Sequence, residues 1–479
     1  MENFKECRLN GLCGGCLYQG VPYDEQVETK NRQIVRLLNQ HDIDTEIYQG
    51  LMPAETPYRY RNKMEYTFGD REIGGPLELG MHQKKRFMSI LTCDECQLVP
   101  EDFNRILSAA LKLAREKEYR FYHRKTHQGL LRNLVVRQGV RTNEILVNIV
   151  TTSEPGFDEE AFVKCITDLS LDSRLVGIVR TFNDSFADAV IDEGTKILFG
   201  RDYYNEEILG LKFTVKAFAF FQTNIQAVER LYSEALALIP DLREKTVYDL
   251  YCGTGTITQL MAKRAKKVYG IEIVEDSVEA ARKNAELNGI ENCEFICGDV
   301  RLKLDELTER PDMIVVDPPR AGMHDKVVDM LSGYGIPQIL YVSCNPKTLC
   351  INLDRFREYG YKPVYMKAYD NFPMTKHVEA VALLSQRSNE YAYIDVNTNE
   401  IKDDNSFAPA TYKRIKEFIL KKYGVKMHTA YIAQVKRKYG LLMRECCHKS
   451  KNENYVPQQV SEEQEKMIVD ALKYFKAIK

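Results

Sequence analysis

The sequence predicts an α/β fold, built on a parallel sheet that is flanked by two regions of different character. Three observations carry this. From about residue 213 to 387, strand-like and helix-like segments alternate, the pattern of a parallel sheet with crossover helices. Inside that stretch a strand, Thr246-Val-Tyr-Asp-Leu250, runs into a glycine turn and then a helix. Before it lie strand-like runs divided by polar turns, and after it apolar residues recur at helical spacing.

Three parts are therefore expected: a β-rich, cysteine-bearing region over 1–212, a Rossmann-like domain over 213–387, and a small basic helical extension over 388–479. A chain of 479 residues exceeds one typical core, which agrees with two or three domains. Hydrophobic content of 44% and charged content of 28% are ordinary for a globular protein. No apolar run approaches the roughly 18 residues of a membrane helix. The opening Met1-Glu-Asn-Phe-Lys-Glu6 lacks a signal-peptide core, so a cytoplasmic location is expected. The 13 cysteines are odd in number, and they read as metal ligands, catalytic thiols and buried residues rather than a disulfide framework. A net charge of only −2 places any nucleic-acid contact on local basic patches.

In the first part, Leu134–Arg137, Ile145–Val150 and Leu175–Val179 read as strands, and Cys7, Cys13, Cys16, Cys93 and Cys96 are the cysteines of interest. In the last part, Ser388–Ser406 reads as a linker or weak hairpin. Two short helices follow, with Ile415, Phe418 and Ile419, then Ile432 and Val435, on their apolar faces. A final helix begins at Ser461, where Gln464 completes a capping box. It carries Met467, Ile468, Ala471, Leu472 and Phe475.

The glycine turn is Cys252-Gly-Thr-Gly-Thr-Ile257, and glycines there let backbone approach a ligand closely. The next strand, Val268–Glu272, ends in an acid suited to accepting both hydroxyls of a ribose. A helix over Ser277–Asn288 and a strand ending at Asp299 follow, and a fourth strand, Met313–Val316, ends at Asp317. A glycine turn by itself also serves the fold alone. NAD binding is the rival ligand reading, but the pattern is not G-x-G-x-x-G. The run D-L-x-C-G-x-G followed by two spaced acids resembles the S-adenosylmethionine-dependent class I methyltransferase fold. That resemblance implies Glu272 on the ribose and Tyr251 against the cofactor.

Two further strand ends point at the same crevice. One carries Asp317-Pro-Pro-Arg-Ala-Gly322 and the other is Ile339-Leu-Tyr-Val-Ser-Cys-Asn-Pro346. Enzymes that methylate exocyclic amines usually place an aromatic after the two prolines; Arg320 stands here and counts against that chemistry. Cys344 at a strand end invites a covalent role. Uracil carbon 5 is a poor nucleophile, whereas thiolate addition to carbon 6 makes an enolate that a methyl donor can alkylate. A base must then remove the carbon-5 proton so that the cysteine can leave. A free thiol has a pKa of about 8.5, so the site must lower it or take the proton on attack. Glu379, starting another predicted strand, is the candidate base, and His377 a weaker one. In isolation Cys344 reads as a small buried hydrophobe and Glu379 as a solvated strand residue; their order within one domain favours the functional reading.

Together Phe221-Gln-Thr-Asn224, Asp249-Leu-Tyr-Cys-Gly-Thr-Gly255, Asp317-Pro-Pro-Arg320, Ser343-Cys-Asn-Pro346 and His377-Val-Glu379 resemble the RNA uracil-5-methyltransferase family, over about 380 residues from Cys7 to Ser385. The resemblance implies that Gln222, Tyr251, Glu272 and Asp317 bind S-adenosylmethionine, that Asp299 reaches the adenine edge, that Cys344 is the nucleophile, and that Glu379 accepts the proton. One branch of the family carries an iron–sulfur cluster and acts on 23S ribosomal RNA, while the tRNA-acting branch lacks the cluster. Cys7-x5-Cys13-x2-Cys16 matches the cluster branch, which implies a [4Fe–4S] cluster on four thiolates. The fourth ligand is Cys93 or Cys96, with Cys96 preferred because Cys96-Gln-Leu-Val99 is similar to the family's segment at that place. Bare spacing also permits a four-cysteine zinc site. Many relatives begin with a small RNA-binding barrel, which is expected to be missing here because the sequence starts six residues before Cys7. A tRNA substrate is the alternative within the class, and a non-catalytic RNA-binding or ribosome assembly factor the alternative outside it. No membrane or obligate protein partner is expected.

Two runs, Tyr58-Arg-Tyr-Arg-Asn-Lys63 and Tyr119-Arg-Phe-Tyr-His-Arg-Lys125, interleave aromatics and cations. They suit RNA backbone and base contacts, or equally the packing of tyrosines with solvated cations. Residues 410–451 hold 12 Lys/Arg against 2 Asp/Glu, an excess of +10. This tail reads either as a helical RNA-binding module or as a solvated basic helix pair. Cys446, Cys447 and His448 stand close together, but adjacent cysteines rarely chelate one ion well.

Overall fold

The computed structural model describes residues 6–186, 191–239, 241–386, 412–439 and 460–474. They fall in two compact units, Met1–Tyr391 and Ala392–Lys479.

The first unit opens with α1 (Tyr23–Gln40) and β1 (Tyr48–Met52). Next come β2 (Lys63–Asp70), β3 (Leu77–Gln83), β4 (Arg86–Thr92), α2 (Glu101–Glu116), β5 (Leu131–Gly139), β6 (Glu144–Thr151), α3 (Glu159–Thr167), β7 (Arg174–Phe182) and β8 (Thr195–Gly200). Strands β2 to β8 form a seven-stranded sheet in the order β4-β3-β2-β5-β6-β7-β8, antiparallel except for β6 against β7. The three strands predicted in this region lie within β5, β6 and β7. All eight residues of β6 are buried. A strand covered on both faces reads as a nearly continuous apolar run rather than an alternation, here Ile145–Val150 broken only by Asn148. Helix α2 buries Phe103, Ile106, Leu107, Ala110 and Leu111, a helical stripe, in the core it shares with this sheet.

A hairpin of β9 (Tyr203–Ile208) and β10 (Leu211–Lys216) leads to α4 (Ile225–Ala237). The parallel-sheet region then runs β11 (Thr246–Leu250), α5 (Thr256–Ala262), β12 (Lys267–Glu272), α6 (Glu275–Leu287), β13 (Cys293–Cys297), α7 (Val300–Lys303), β14 (Met313–Val316), α8 (Asp325–Gly333), β15 (Gln338–Ser343), α9 (Pro346–Glu358), β16 (Tyr361–Tyr369) and β17 (Glu379–Gln386). The eight-stranded sheet has the order β1-β16-β17-β15-β14-β11-β12-β13, and only β17 runs against its neighbours. Strand order reverses between β11 and β14, which opens a crevice at the carboxyl ends of the parallel strands. The expected first region, 1–212, supplies the whole seven-stranded sheet and also, through β1, an edge strand of the other one. One core contains Leu146 and Val179 of the first sheet, Tyr204 and Phe213 of the hairpin, Leu231 of α4, and Val247, Val315 and Leu340 of the second sheet, so the two sheets share apolar packing.

The second unit contains α10 (Tyr412–Tyr423), α11 (Thr429–Lys438) and α12 (Glu462–Tyr474). Ile415, Ile419, Ile432, Val435, Ile468 and Leu472 make its core, as their spacing predicts. The capping box forms: the Gln464 N–H donates to Ser461 Oγ at 3.3 Å, and the Ser461 N–H to Gln464 Oε1 at 3.2 Å. The expected linker at 388–406, Phe475, and the Cys446-Cys447-His448 group lie outside the described residues. Among the described residues no helix is long and apolar enough to cross a membrane.

Candidate active site

A cavity of about 740 Å³ sits at the reversal of strand order. Its walls include Gln222, Tyr251, Glu272, Asp317, Cys344 and Glu379. The structure thus brings together every sequence-predicted catalytic and cofactor residue except Asp299.

The glycine turn shapes one end. Tyr251, Gly253 and Gly255 have φ of 66°, 54° and 78°, so the chain turns through the left-handed region after β11. A Cβ on Gly255 would sit 2.7 Å from the Phe295 ring and 3.0 Å from Ala281. At Gly253 it would meet no atom within 4 Å, leaving open approach to the backbone from the cavity. Glu272, at the end of β12, is held by this turn. Its Oε2 accepts the Gly253 N–H at 3.1 Å, and its Oε1 accepts the N–H groups of Ile273 and Val274 at 2.8 and 3.0 Å. Carboxylate, glycine backbone and Tyr251 side chain make a donor and acceptor set that fits a nucleoside.

Below the turn, Asp249 is fully buried. Its Oδ2 accepts Thr258 Oγ1 at 2.6 Å, whereas Oδ1 has no partner. Burial pushes its carboxyl up to about 7, with the charge of Glu272 adding to the effect. Asp317, at the end of β14, also rises to about 7, first by desolvation and then by the charge of Asp249. Gln222 Nε2 donates to Tyr232 Oη at 3.1 Å. Tyr232 is a buried residue that sequence reasoning missed, and its phenol feels both Asp317 and Glu379.

Cys344 directly follows β15, and Glu379 begins the adjacent antiparallel strand β17. Desolvation pushes the Cys344 thiol up to about 11, Glu379 and Asp317 add to the rise, and Arg320 opposes it. Glu379 is only 8% exposed, and its carboxyl rises well above the usual range, again first by desolvation, then by Asp317, against Arg320. Both groups are therefore protonated more readily than in water, and Arg320 is the cation that favours their charged forms. The Arg320 carbonyl accepts Asn345 Nδ2 at 3.0 Å, which fastens the Asp-Pro-Pro-Arg segment to the Ser-Cys-Asn-Pro segment. Its guanidinium Nη2 donates to His377 Nδ1 at 2.5 Å. Desolvation and this cation lower the His377 pKa, which makes the imidazole a poor base.

Asp299 stands apart. It caps α7 by accepting the Arg301 N–H at 2.9 Å, and it pairs with the Arg301 guanidinium, which pulls its carboxyl down to about 2. It is near enough for its charge to act on Tyr251 but is not part of the cavity wall.

A second cavity, of about 530 Å³, is lined by Cys7, Cys13, Cys16, Cys93 and Cys96. A hydrogen bond shared with Cys93 pulls the Cys13 thiol down, while burial pushes Cys16 up to about 12. Among the described residues, no three His, Cys, Asp or Glu side chains form a group tight enough for a single metal ion. Arg61, Thr375 and His377 line both cavities. Of the first aromatic–cationic run, Tyr60 is buried and donates its hydroxyl to the Pro373 carbonyl at 3.0 Å, so packing wins there. Arg61 reaches the cavities. Phe220 and Asn371 also line the larger cavity. Phe220 stands next to the Phe221–Asn224 motif, which was the signal available for it.

Residues 300–387 match the family model described as tRNA (uracil-5-)-methyltransferase, and residues 247–329 match a general methyltransferase domain. An RNA methyltransferase of Clostridium tetani is 45% identical over 382 residues, covering 80% of this chain and 84% of that protein. One from Clostridium acetobutylicum is 46% identical, with the same coverage. The chain belongs to the RNA (uracil-5-)-methyltransferase family. A solved relative is the tRNA (uracil-54, C5)-methyltransferase of Pyrococcus abyssi in complex with S-adenosyl-L-homocysteine. It superposes with a TM-score of 0.64 at 28% identity, covering 78% of this chain and 86% of that one. The protein is therefore an S-adenosylmethionine-dependent RNA (uracil-5-)-methyltransferase with a class I methyltransferase fold, and its substrate is RNA.

Proposed function

We propose that this methyltransferase acts on carbon 5 of a uridine in 23S ribosomal RNA, with Cys344 as covalent nucleophile and Glu379 as the base that releases it. One observation carries the reading: the thiol and the carboxyl, from adjacent strands, face the same cavity as the glycine turn, Glu272 and Asp317.

S-adenosylmethionine, when bound, supplies the methyl group on a positively charged sulfonium. Glu272 and Tyr251 suit its nucleoside, with Gln222 and Asp317 on the remaining wall. Cys344 Sγ adds to carbon 6 of uracil, and the displaced electron pair makes carbon 5 nucleophilic. After methylation, carbon 5 carries both a methyl group and a proton. The Glu379 carboxylate takes that proton, the C–H electron pair re-forms the C5=C6 double bond, and the C6–Sγ bond breaks to return the thiolate. Because burial raises the Cys344 pKa, its proton must pass to water in the cavity as the sulfur attacks, and Arg320 is the group that favours the anion.

The cysteine-lined cavity supports a [4Fe–4S] cluster on Cys7, Cys13, Cys16 and Cys96. Four thiolates are the usual ligand set of such a cluster, and the same spacing also permits a four-cysteine zinc site. The cluster's proposed role is structural, since methyl transfer moves no electrons between centres. This cysteine set favours ribosomal RNA. The likeness to a tRNA (uracil-54, C5)-methyltransferase favours tRNA as the second reading.

Purified protein, labelled S-adenosylmethionine and RNA from a strain lacking the gene would decide it. 5-methyluridine is expected in 23S RNA and not with Cys344→Ala. Label confined to tRNA overturns the substrate assignment, and product formed by Cys344→Ala overturns the nucleophile.

A further inference from the structure

Helix α1 buries Gln26, Lys30, Ile34 and Leu38, one face at four-residue spacing whose first two members are polar. Lys30 is 1% exposed, and the mechanism above gives it no part. Its Nζ donates to Asp370 Oδ1 at 2.7 Å, to the Phe372 carbonyl at 3.1 Å and to the His377 carbonyl at 3.2 Å. An ammonium has three protons, and here each has an acceptor.

All three acceptors belong to the segment 370–378. It joins β16 to β17, whose ends Tyr369 and Glu379 are paired across the sheet. Lys30 therefore ties the start, the middle and the end of the loop that delivers Glu379 to the cavity. Neighbouring side chains of α1 reinforce the tie. Tyr23 Oη donates to Asp370 Oδ2 at 3.1 Å, and Gln26 Oε1 accepts the Met374 N–H at 3.1 Å. Met374 has φ of 65°, a left-handed conformation that a residue with a Cβ adopts only when its surroundings hold it there. Asp370 is also fully buried, with 0% of its side chain exposed. Withdrawing two charges from water is costly, and well-packed apolar residues usually stabilise as well or better. A buried pair that spends its hydrogen bonds on one loop is better explained by geometry than by stability.

We propose that Lys30 is a positioning residue for proton removal: it holds the 370–378 loop so that the Glu379 carboxyl meets the carbon-5 proton. The inference rests on the reading of Glu379 as the base. Misplacement then affects one step selectively. Cys344 still adds and carbon 5 is still methylated, but elimination slows, so methylated RNA accumulates joined to the protein through C6–Sγ.

The test uses the full-length protein with labelled S-adenosylmethionine, and 23S RNA and tRNA from a strain lacking the gene. A single turnover is quenched in detergent. Label retained with protein counts the adduct, and total label in RNA counts methyl transfer. Glu379→Gln sets the scale for a missing base. For Lys30→Met, methyl transfer within about threefold of the unaltered chain and an adduct fraction at least about tenfold higher are expected, because displacing a base by an ångström slows its step on the order of a hundredfold. Lys30→Met leaves Asp370 without its cation, so Lys30→Met with Asp370→Asn is measured beside it and should show the same partition in a folded protein. Adduct from Glu379→Gln but none from either Lys30 variant overturns the inference, as does an equal fall in methyl transfer and release. No adduct from Glu379→Gln removes the base assignment itself, and the inference with it.

Discussion

The Arg320 guanidinium donates to His377 Nδ1 at 2.5 Å, and so joins the Asp-Pro-Pro-Arg segment after β14 to the residue two places before Glu379. One cation thus spans the nucleophile side and the base side of the cavity. It is the group that opposes the rise in pKa of both Cys344 and Glu379.

That relationship sets the pH dependence. With the thiol pushed up to about 11, the thiolate fraction grows with pH across the neutral range, and a Glu379 carboxyl raised by burial ionises in the same direction. Single-turnover formation of free 5-methyluridine RNA, which needs both thiolate attack and proton removal by Glu379, should therefore rise from about pH 6 to pH 9 without a plateau at neutrality. Arg320→Gln removes the opposing charge and should slow the reaction most at low pH. A flat profile for the unaltered chain would show that the thiol ionises far more easily in the RNA complex.

Cys344→Ala should lower 5-methyluridine formation by at least about 10⁴-fold, as losses of a covalent nucleophile do. Cys344 is half-buried at a strand end, so the thermal midpoint should move little. Nucleoside mass spectrometry and a melting curve check the two halves of this expectation.

Asp317 connects the site to stability. Its carboxyl lies at about 7 in the folded protein against roughly 3.9 unfolded, so the folded state binds more protons between those values and stability falls as pH rises through that window. Asp317→Asn removes the penalty. Its melting temperature should exceed that of the unaltered chain by about 2 °C or more at pH 8, with little difference at pH 4. Cofactor affinity should fall in the same variant.

If Glu272 takes the proposed ribose role, Glu272→Gln should weaken S-adenosylmethionine binding by about tenfold or more, since charge-assisted hydrogen bonds to the hydroxyls are lost. Asp299→Asn should change it by less than about threefold, because that carboxylate is held by Arg301 outside the cavity wall and its contribution through Tyr251 is a screened surface charge. Calorimetric titration with S-adenosylhomocysteine compares the two directly.

Protein purified without oxygen should contain about four irons and four acid-labile sulfides per chain. Cys96→Ser is expected to lose them and Cys93→Ser to keep them. The reverse result would exchange the two as fourth ligand, and stoichiometric zinc in place of iron would favour the single-ion site.

Much of this protein is determined locally, and that part was legible. The glycine turn, the strand ends at Glu272, Asp317 and Cys344, and the start of β17 at Glu379 follow from short-range rules, because backbone chirality and apolar periodicity act over a few residues. The three helices of the second unit, down to the reciprocal bonds of Ser461 and Gln464, follow for the same reason. At Asp299 local rules allow two outcomes: a strand-end acid can face a ligand or cap the next helix, and in this structure it caps α7 and pairs with Arg301, two residues on. Tertiary structure alone decided that β1 would extend the parallel sheet at β16, and that Gln26 and Lys30 would turn inward on α1. A lysine at a helical position reads as solvated until its acceptors are known. Those of Lys30 lie on a loop that only folding brings near, since the energy that keeps a charge buried comes from partners distant in the chain.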